Sequence, residues 1–228
     1  MGRSGDEHVR EWADLHLTEP PGGFVGGWLR AAGAVARPLA RAGVSPNAVT
    51  VAALVAAVAA VPAAALVDGW LGPALACAAV TVSGLLDALD GAVAVQGGRT
   101  TKVGFLLDSA LDRVADAAYP AALAYVAGPG RPGVVALAVG ATAACWYLEY
   151  VRARASLAAP EQRGRQVVTP GERPTRIVLT AVGLGLPALA VAALWAHVVV
   201  VAGSAVFLLG HSLARLRRAD RLSGGPTG

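Results

Sequence analysis

Residues 70–127 read WLGPALACAAVTVSGLLDALDGAVAVQGGRTTKVGFLLDSALDRVADAAYPAALAYVA. A helix needs about 20 predominantly apolar residues to cross a bilayer. This stretch supplies two such runs, Trp70 to Val93 and Val103 to Ala127, joined by a short glycine-bearing turn. Into them it sets Asp87, Asp90, Asp108, Asp112 and Asp116. A carboxylate within a membrane segment is costly and marks a functional site by default. Asp87 and Asp90 stand three residues apart, Asp108 and Asp112 four apart, so each pair shares one helix face. The turn VQGGRTTK predicts that the two helices are antiparallel neighbours, with all four carboxylates near the same end, facing one cavity.

Four close carboxylates cannot all stay ionised without compensation. Arg113 can pair with Asp116, which leaves too few cations in these spans for the other four. Two Mg²⁺ or Mn²⁺ ions would bring +4 against −4, and all-oxygen ligation suits such hard cations. His197 and His211 lie far along the chain, which argues against an ordinary zinc site. Gly91, Gly97, Gly98 and Gly104 surround the aspartates, and missing side chains let a ligand approach the backbone. Metal ions beside such backbone suit a pyrophosphate, whose oxygens can bridge them.

The rest of the 228-residue chain agrees with a membrane setting. It is 55% hydrophobic and 15% charged, against about 25% charged in soluble chains, and its mean hydropathy is +0.56. Six spans are predicted: Asn47 to Val67, Trp70 to Val93, Val103 to Ala127, Gly133 to Arg154, Ile177 to Leu194 and Trp195 to Leu213. The last boundary, within ALWAHVVV, is the least marked. The fold class expected is an all-α integral membrane protein of six transmembrane helices preceded by an amphipathic interfacial helix. Its parts are a polar segment at 1–22, a juxtamembrane amphipathic helix at 23–43, a catalytic domain at 44–214 and a basic cytoplasmic tail at 215–228. Residues 156–176 read as an Arg-rich loop, and no ordered structure is expected after Arg218. In the juxtamembrane helix Trp28, Leu29, Val35 and Leu39 alternate with Arg30, Arg37 and Arg41, as in helices that lie in the membrane interface.

Basic residues set the orientation. Arg30, Arg37, Arg41, Arg99, Lys102, Arg152, Arg154 and the arginines from Arg163 onward fall at one set of span ends; Arg131 alone falls at the other. Both termini are therefore expected in the cytoplasm of a cell carrying the protein in its plasma membrane. The net charge of +4 suits an anionic lipid face. Nucleic acid is a poor partner, because the basic residues are divided by long apolar runs. The first 20 residues are polar and do not form a signal peptide. Cys77 and Cys145 sit in apolar segments, as small packing residues do.

The stretch from Asp87 to Asp112 resembles the signature of the CDP-alcohol phosphotransferase family. That signature is Asp, two residues, Asp-Gly, two residues, Ala-Arg, eight residues, Gly, three residues, Asp, three residues, Asp. Asp87, Asp90, Gly91, Ala94, Gly104, Asp108 and Asp112 match it in register. SPNAVT at 45–50 and the span pattern extend the likeness over about residues 35–215. The resemblance implies transfer of a phosphatidyl group from CDP-diacylglycerol, or another CDP-alcohol, to a small polar alcohol, with CMP released. Asp87 and Asp108 would bridge two metal ions, Asp90 and Asp112 would each complete one site, and Asp112 would be the general base. Asn47, Thr50, Gly91, Thr101 and Gly104 would line the donor site. A homodimer is a further expectation.

Val95 stands where the signature has an arginine that helps hold the donor; Arg99 and Lys102, in the adjacent turn, are candidates for the missing charge. YLEYVRARAS and GERPTR resemble segments of bacterial phosphatidylinositol phosphate synthases. They imply an acceptor-phosphate pocket drawing on Arg152, Arg154, Arg173, Arg176 and Arg215, although arginines at these span ends also serve topology alone. Two other readings stand beside the enzyme: a divalent-cation transporter, and a family member that binds a CDP-lipid without turning it over.

Overall fold

A computed structural model of the chain describes residues 23–158 and 167–223, excepting the side chains of 23–29, 31, 222 and 223. The polar segment 1–22, Arg163, Arg165, the side chains of Trp28 and Leu29 and the last residues of the tail fall outside this set. The described chain is helical without strands: α1 Gly23–Arg41, α2 Pro46–Leu66, α3 Leu71–Gln96, α4 Lys102–Ala127, α5 Pro132–Ala158, α6 Arg173–Gly185 and α7 Ala190–Ser223, with a 3₁₀ turn at Pro187–Leu189.

Four of these are long and apolar enough to cross a membrane: α2, α3, α5 and α7 with its preceding turn. α4 is long enough but carries Lys102, Asp108, Asp112, Arg113 and Asp116. α6 has 13 residues, about 20 Å at 1.5 Å per residue, short of a hydrocarbon core of about 30 Å.

Several boundaries differ from the sequence reading. The final break falls at Leu186–Leu189 rather than in ALWAHVVV, because Pro187 cannot continue the helix that Gly185 ends. α5 runs on to Ala158, α6 starts at Arg173, and α7 continues through Ser223, so part of the expected loop and of the expected disordered tail is helix. Hydropathy marks where a chain leaves the bilayer; alanine and arginine carry a helix beyond that point. α3 and α4 are not close packing partners. α2 packs far more extensively on both than they do on each other. Facing rows of carboxylates need space between them, and α2 offers the small side chains that close approach requires. Its buried face is Val49, Thr50, Ala53, Ala57 and Ala60.

Ser83 ties the three together. Its hydroxyl lies 2.8 Å from the Ala53 carbonyl and 2.9 Å from the Tyr119 hydroxyl, all buried. The main core joins Ala57, Ala60, Ala76, Val80, Ala122, Leu123, Leu184 and Leu194. A second joins α5 and α7 through Cys145, Leu148, Val201 and Leu208. α1 lies on α3, with Ala32 and Ala36 against Ala92 and Val93.

A buried ion-pair network holds α6 in place. Arg176, 1% exposed, donates to Asp116 of α4 at 2.7 Å and to Glu149 of α5 at 2.8 Å. Arg113 lies 3.1 Å from Asp116, the pairing expected from sequence, and 3.7 Å from Glu149. Arg152 reaches Glu149 at 3.5 Å and Glu172 at 2.6 Å. Glu172 in turn accepts from the Thr169 amide at 2.9 Å and stands at the N-terminus of α6. Next to it, the Gly171 amide donates to Ser204 of α7 at 2.9 Å.

Two outcomes follow for stability in detergent. Arg176→Met leaves Asp116 and Glu149 short of their buried cation, and thermal unfolding should show a loss of about 3–5 kcal/mol. A Cβ at Gly183 would come within 2.6 Å of Leu123 Cδ2 and 2.7 Å of Ala193 Cβ. Gly183→Val should therefore cost about 1–3 kcal/mol by overpacking, read as a lower unfolding midpoint.

Candidate metal and nucleotide site

The turn between α3 and α4 is built by its glycines. Gly98 adopts φ +60°, its amide donates to Val95 at 3.2 Å, and the Arg99 amide donates to Ala94 at 2.9 Å. This is the paired closure by which a left-handed glycine ends a helix. Thr101 then caps α4, its side chain accepting from the Gly104 amide at 2.9 Å. Both ends of the turn are thus fixed, and the aspartates about two to three turns away on each helix inherit that placement.

Carboxylate oxygens of Asp87, Asp90 and Asp108 lie within 4.8 Å of one another. Asp90 is 7% exposed. One of its oxygens takes the Gly91 amide at 2.5 Å, and the other, Oδ2, is buried with no hydrogen-bond partner. Three converging carboxylates with an unsatisfied buried oxygen match the donor set of a hard divalent cation. Asp112 joins this group through Arg173. The Arg173 guanidinium lies 3.2 Å from Asp87 and in direct contact with Asp112. The two spans that carry these carboxylates hold too few cations for them; α6 supplies one. The spacing of Arg173 and Arg176, three residues apart on one face, was the available signal, but nothing local says which helix that face meets.

Beside the carboxylates opens a cleft of ≈ 290 Å³ lined by Pro46, Asn47, Thr50, Asp90, Gly91, Ala94, Val95, Arg99, Thr100, Thr101, Gly104, Phe105 and Asp108. All five residues expected to line a donor site are here, and Asp90 and Asp108 belong to both cleft and cluster. Gly104 is needed for the shape: a Cβ there would come 3.1 Å from Asn47 Oδ1 and 3.1 Å from Thr101 Oγ1. Val95 lines the cleft as a neutral wall. Arg99 lines it too, with Nη1 donating to the Gly43 carbonyl at 3.0 Å. Among the described residues Lys102 is not part of the lining. Thr100 and Phe105 carry no signal in the sequence that marks them for this cleft, and Pro46 enters only through the segment SPNAVT.

The five arginines of the expected acceptor pocket separate. Arg173 reaches the carboxylate cluster. Arg152 and Arg176 are held in the ion-pair network behind it. Arg154 is on the exposed side of α5, and Arg215 is half-buried on the long α7.

The pattern of CDP-alcohol phosphatidyltransferases matches residues 43–211. Archaetidylinositol phosphate synthase of Aeropyrum pernix is 40% identical over 151 residues, covering 65% of this chain and 72% of that one. Phosphatidylinositol phosphate synthase of Cutibacterium acnes is 35% identical over 187 residues, covering 78% and 84%. The fold is similar to that of Mycobacterium tuberculosis phosphatidylinositol phosphate synthase with CDP-DAG bound. That match has 25% identity and a TM-score of 0.62, over 80% of this chain and 94% of the other. The same enzyme in complex with manganese and citrate matches with 26% identity and a TM-score of 0.63, covering 80% and 88%. Taken with the aspartate cluster and the cleft beside it, these likenesses show that the chain belongs to the CDP-alcohol phosphatidyltransferase family and is a membrane-bound transferase of phospholipid biosynthesis.

Proposed function

We propose that this protein transfers the phosphatidyl group of CDP-diacylglycerol to a phosphorylated polar alcohol, inositol phosphate first among them, and releases CMP. The observation that carries the reading is the sharing of Asp90 and Asp108 between the carboxylate cluster and the cleft. A phosphate bound in that cleft lies against the metal-binding groups. The acceptor choice is supported by the names of the relatives and by Arg173, a guanidinium at the edge of the cluster suited to a phosphate.

In this reading Asp87 and Asp108 would serve two Mg²⁺ or Mn²⁺ ions, with Asp90 completing one site and Asp112 the other. The ions supply charge neutralisation of the pyrophosphate and of the departing CMP. Asn47, Thr50 and Thr101 orient the donor, while Gly91 and Gly104 leave it room. Asp112 takes the proton from the acceptor hydroxyl, whose oxygen forms the new bond to the phosphatidyl phosphorus as the bond to CMP breaks. Arg99 supplies the donor-side cation that Val95 does not.

The reading extends to the membrane. α2 to α7 make six spans, the short α6 completed by the 3₁₀ turn, with α1 in the interface and both termini on the cytoplasmic side of the plasma membrane. The arginine distribution supports this orientation. It also includes a homodimer, which alanine-rich helix faces permit and light scattering in detergent measures.

Purified protein with CDP-diacylglycerol, inositol phosphate and Mg²⁺ or Mn²⁺ should release CMP, and chelator should abolish the release. Asp112→Asn should lower turnover by about 10²-fold or more, the contribution of a positioned general base. Absence of CMP from any CDP-alcohol, with the variant equal to wild type, would sink the proposal. Donor binding without CMP release would instead favour a binding protein, a reading that rests on Val95 in the cleft wall.

Arg99→Ala should raise the donor KM about tenfold, as expected for loss of one charge-assisted contact, with a smaller change in kcat. Steady-state CMP release measures both. Unchanged values would remove Arg99 from the donor site.

A further inference from the structure

We propose that Arg173 is the resident counter-ion of the carboxylate cluster, and that one of the two metal sites forms only as Arg173 withdraws from it. This rests on the metal-dependent reading above and adds an order to how the cluster fills.

The four carboxylates are not equivalent. Asp87, Asp90 and Asp108 already converge without Asp112. Asp112 is engaged by the Arg173 guanidinium, which also reaches Asp87 at 3.2 Å. The triad is therefore a preformed subsite, whereas a site that includes Asp112 coincides with a positive side chain. Charge counting gives the same order. Four carboxylates and Arg173 sum to −3, and one divalent ion leaves −1. A second would give +1 with Arg173 in place and zero with it gone. A cation and a guanidinium that share carboxylate oxygens repel each other at the range where that repulsion is largest.

Arg173 is also built to leave. Its side chain is 13% exposed, which gives it a way out. The backbone beneath it need not move, because Arg176, one turn further along α6, is fixed by Asp116 and Glu149. The motion required is a change of side-chain rotamer on a stationary helix.

The test is equilibrium Mn²⁺ binding to the purified full chain without substrates, followed by the electron paramagnetic resonance signal of free Mn²⁺. Wild type should show a tighter and a weaker class of site. In Arg173→Gln the weaker class should tighten by roughly tenfold or more, the effect of removing a like charge at contact range, while the tighter class moves much less. Equal affinities in wild type and a folded R173Q, or weaker binding in R173Q, would overturn the proposal. If neither protein binds Mn²⁺, the metal-dependent reading falls and takes this one with it, a pattern distinct from two intact and unchanged sites.

Thermal unfolding gives a second readout. R173Q should be less stable than wild type in chelator and should recover when Mn²⁺ is added, since either cation can serve the carboxylates. A variant that stays unfolded with and without Mn²⁺ makes Arg173 a structural residue and also overturns the proposal.

Discussion

Negative charge placed in a poorly polarisable medium is the constraint around which the helices arrange themselves. At 4.8 Å, two carboxylates repel by about 3–4 kcal/mol with an effective dielectric of 20, and Asp87, Asp90 and Asp108 are mutually that close or closer. Such repulsion persists only where cations or fixed dipoles offset it. The structure offers both. The Gly91 amide points at Asp90, and Arg173 comes across from α6 to Asp87 and Asp112. The consequence runs outward from there. α3 and α4 stand apart, α2 packs on both, and α6 must bring an arginine to the cluster from the far side.

The second layer of charge solves a different problem. Asp116, Glu149 and Glu172 alternate with Arg113, Arg152 and Arg176 across α4, α5 and the start of α6. A buried ion pair is weak evidence of net stability, because desolvation offsets much of the attraction. Its geometric demand is strict, however. Arg176 must meet acids from two helices at once, which fixes both the depth and the rotation of α6. Arg173 is then set at the cluster by a residue that never touches it. Of the arginines that sequence suggested for an acceptor pocket, Arg152, Arg173 and Arg176 are engaged with named acids.

What the sequence made legible follows from which features are local. The i,i+3 and i,i+4 spacings and the double-glycine turn each depend on residues a few positions apart, and each is found where expected. The residues that the family resemblance assigns to a donor site also meet in one cleft. Helix pairing was not legible. A short turn suggested that α3 and α4 pack together, yet only the charge on both faces says that they should not. The ends of α5 and α7 were missed because hydropathy falls where the bilayer ends while helix propensity does not. The break at Pro187 was written in GLGLP, but a continuous apolar run hid it.

The exchange of arginine for valine at position 95 is best understood through the same turn. Val95 is three residues before Gly98, so its carbonyl closes the helix end while its side chain faces the cleft. The reversal at Gly98 returns the chain along the end of α3 and brings Arg99 to the same cleft, four positions further on. The last turn of the helix thus gives the cleft no cation, and the loop that closes it gives one. This cation is held differently from one on a helix. A residue in a helix keeps its direction by backbone geometry, whereas Arg99 takes its direction from the Gly43 carbonyl in the link between α1 and α2. The placing of Arg99 is thereby coupled to the seating of α1 on α3, where Ala32 and Ala36 meet Ala92 and Val93 and Gln96 donates to the Gly33 carbonyl at 2.8 Å. In this chain α1 is part of the cleft's support, because the cation that faces the cleft is anchored at that helix's exit.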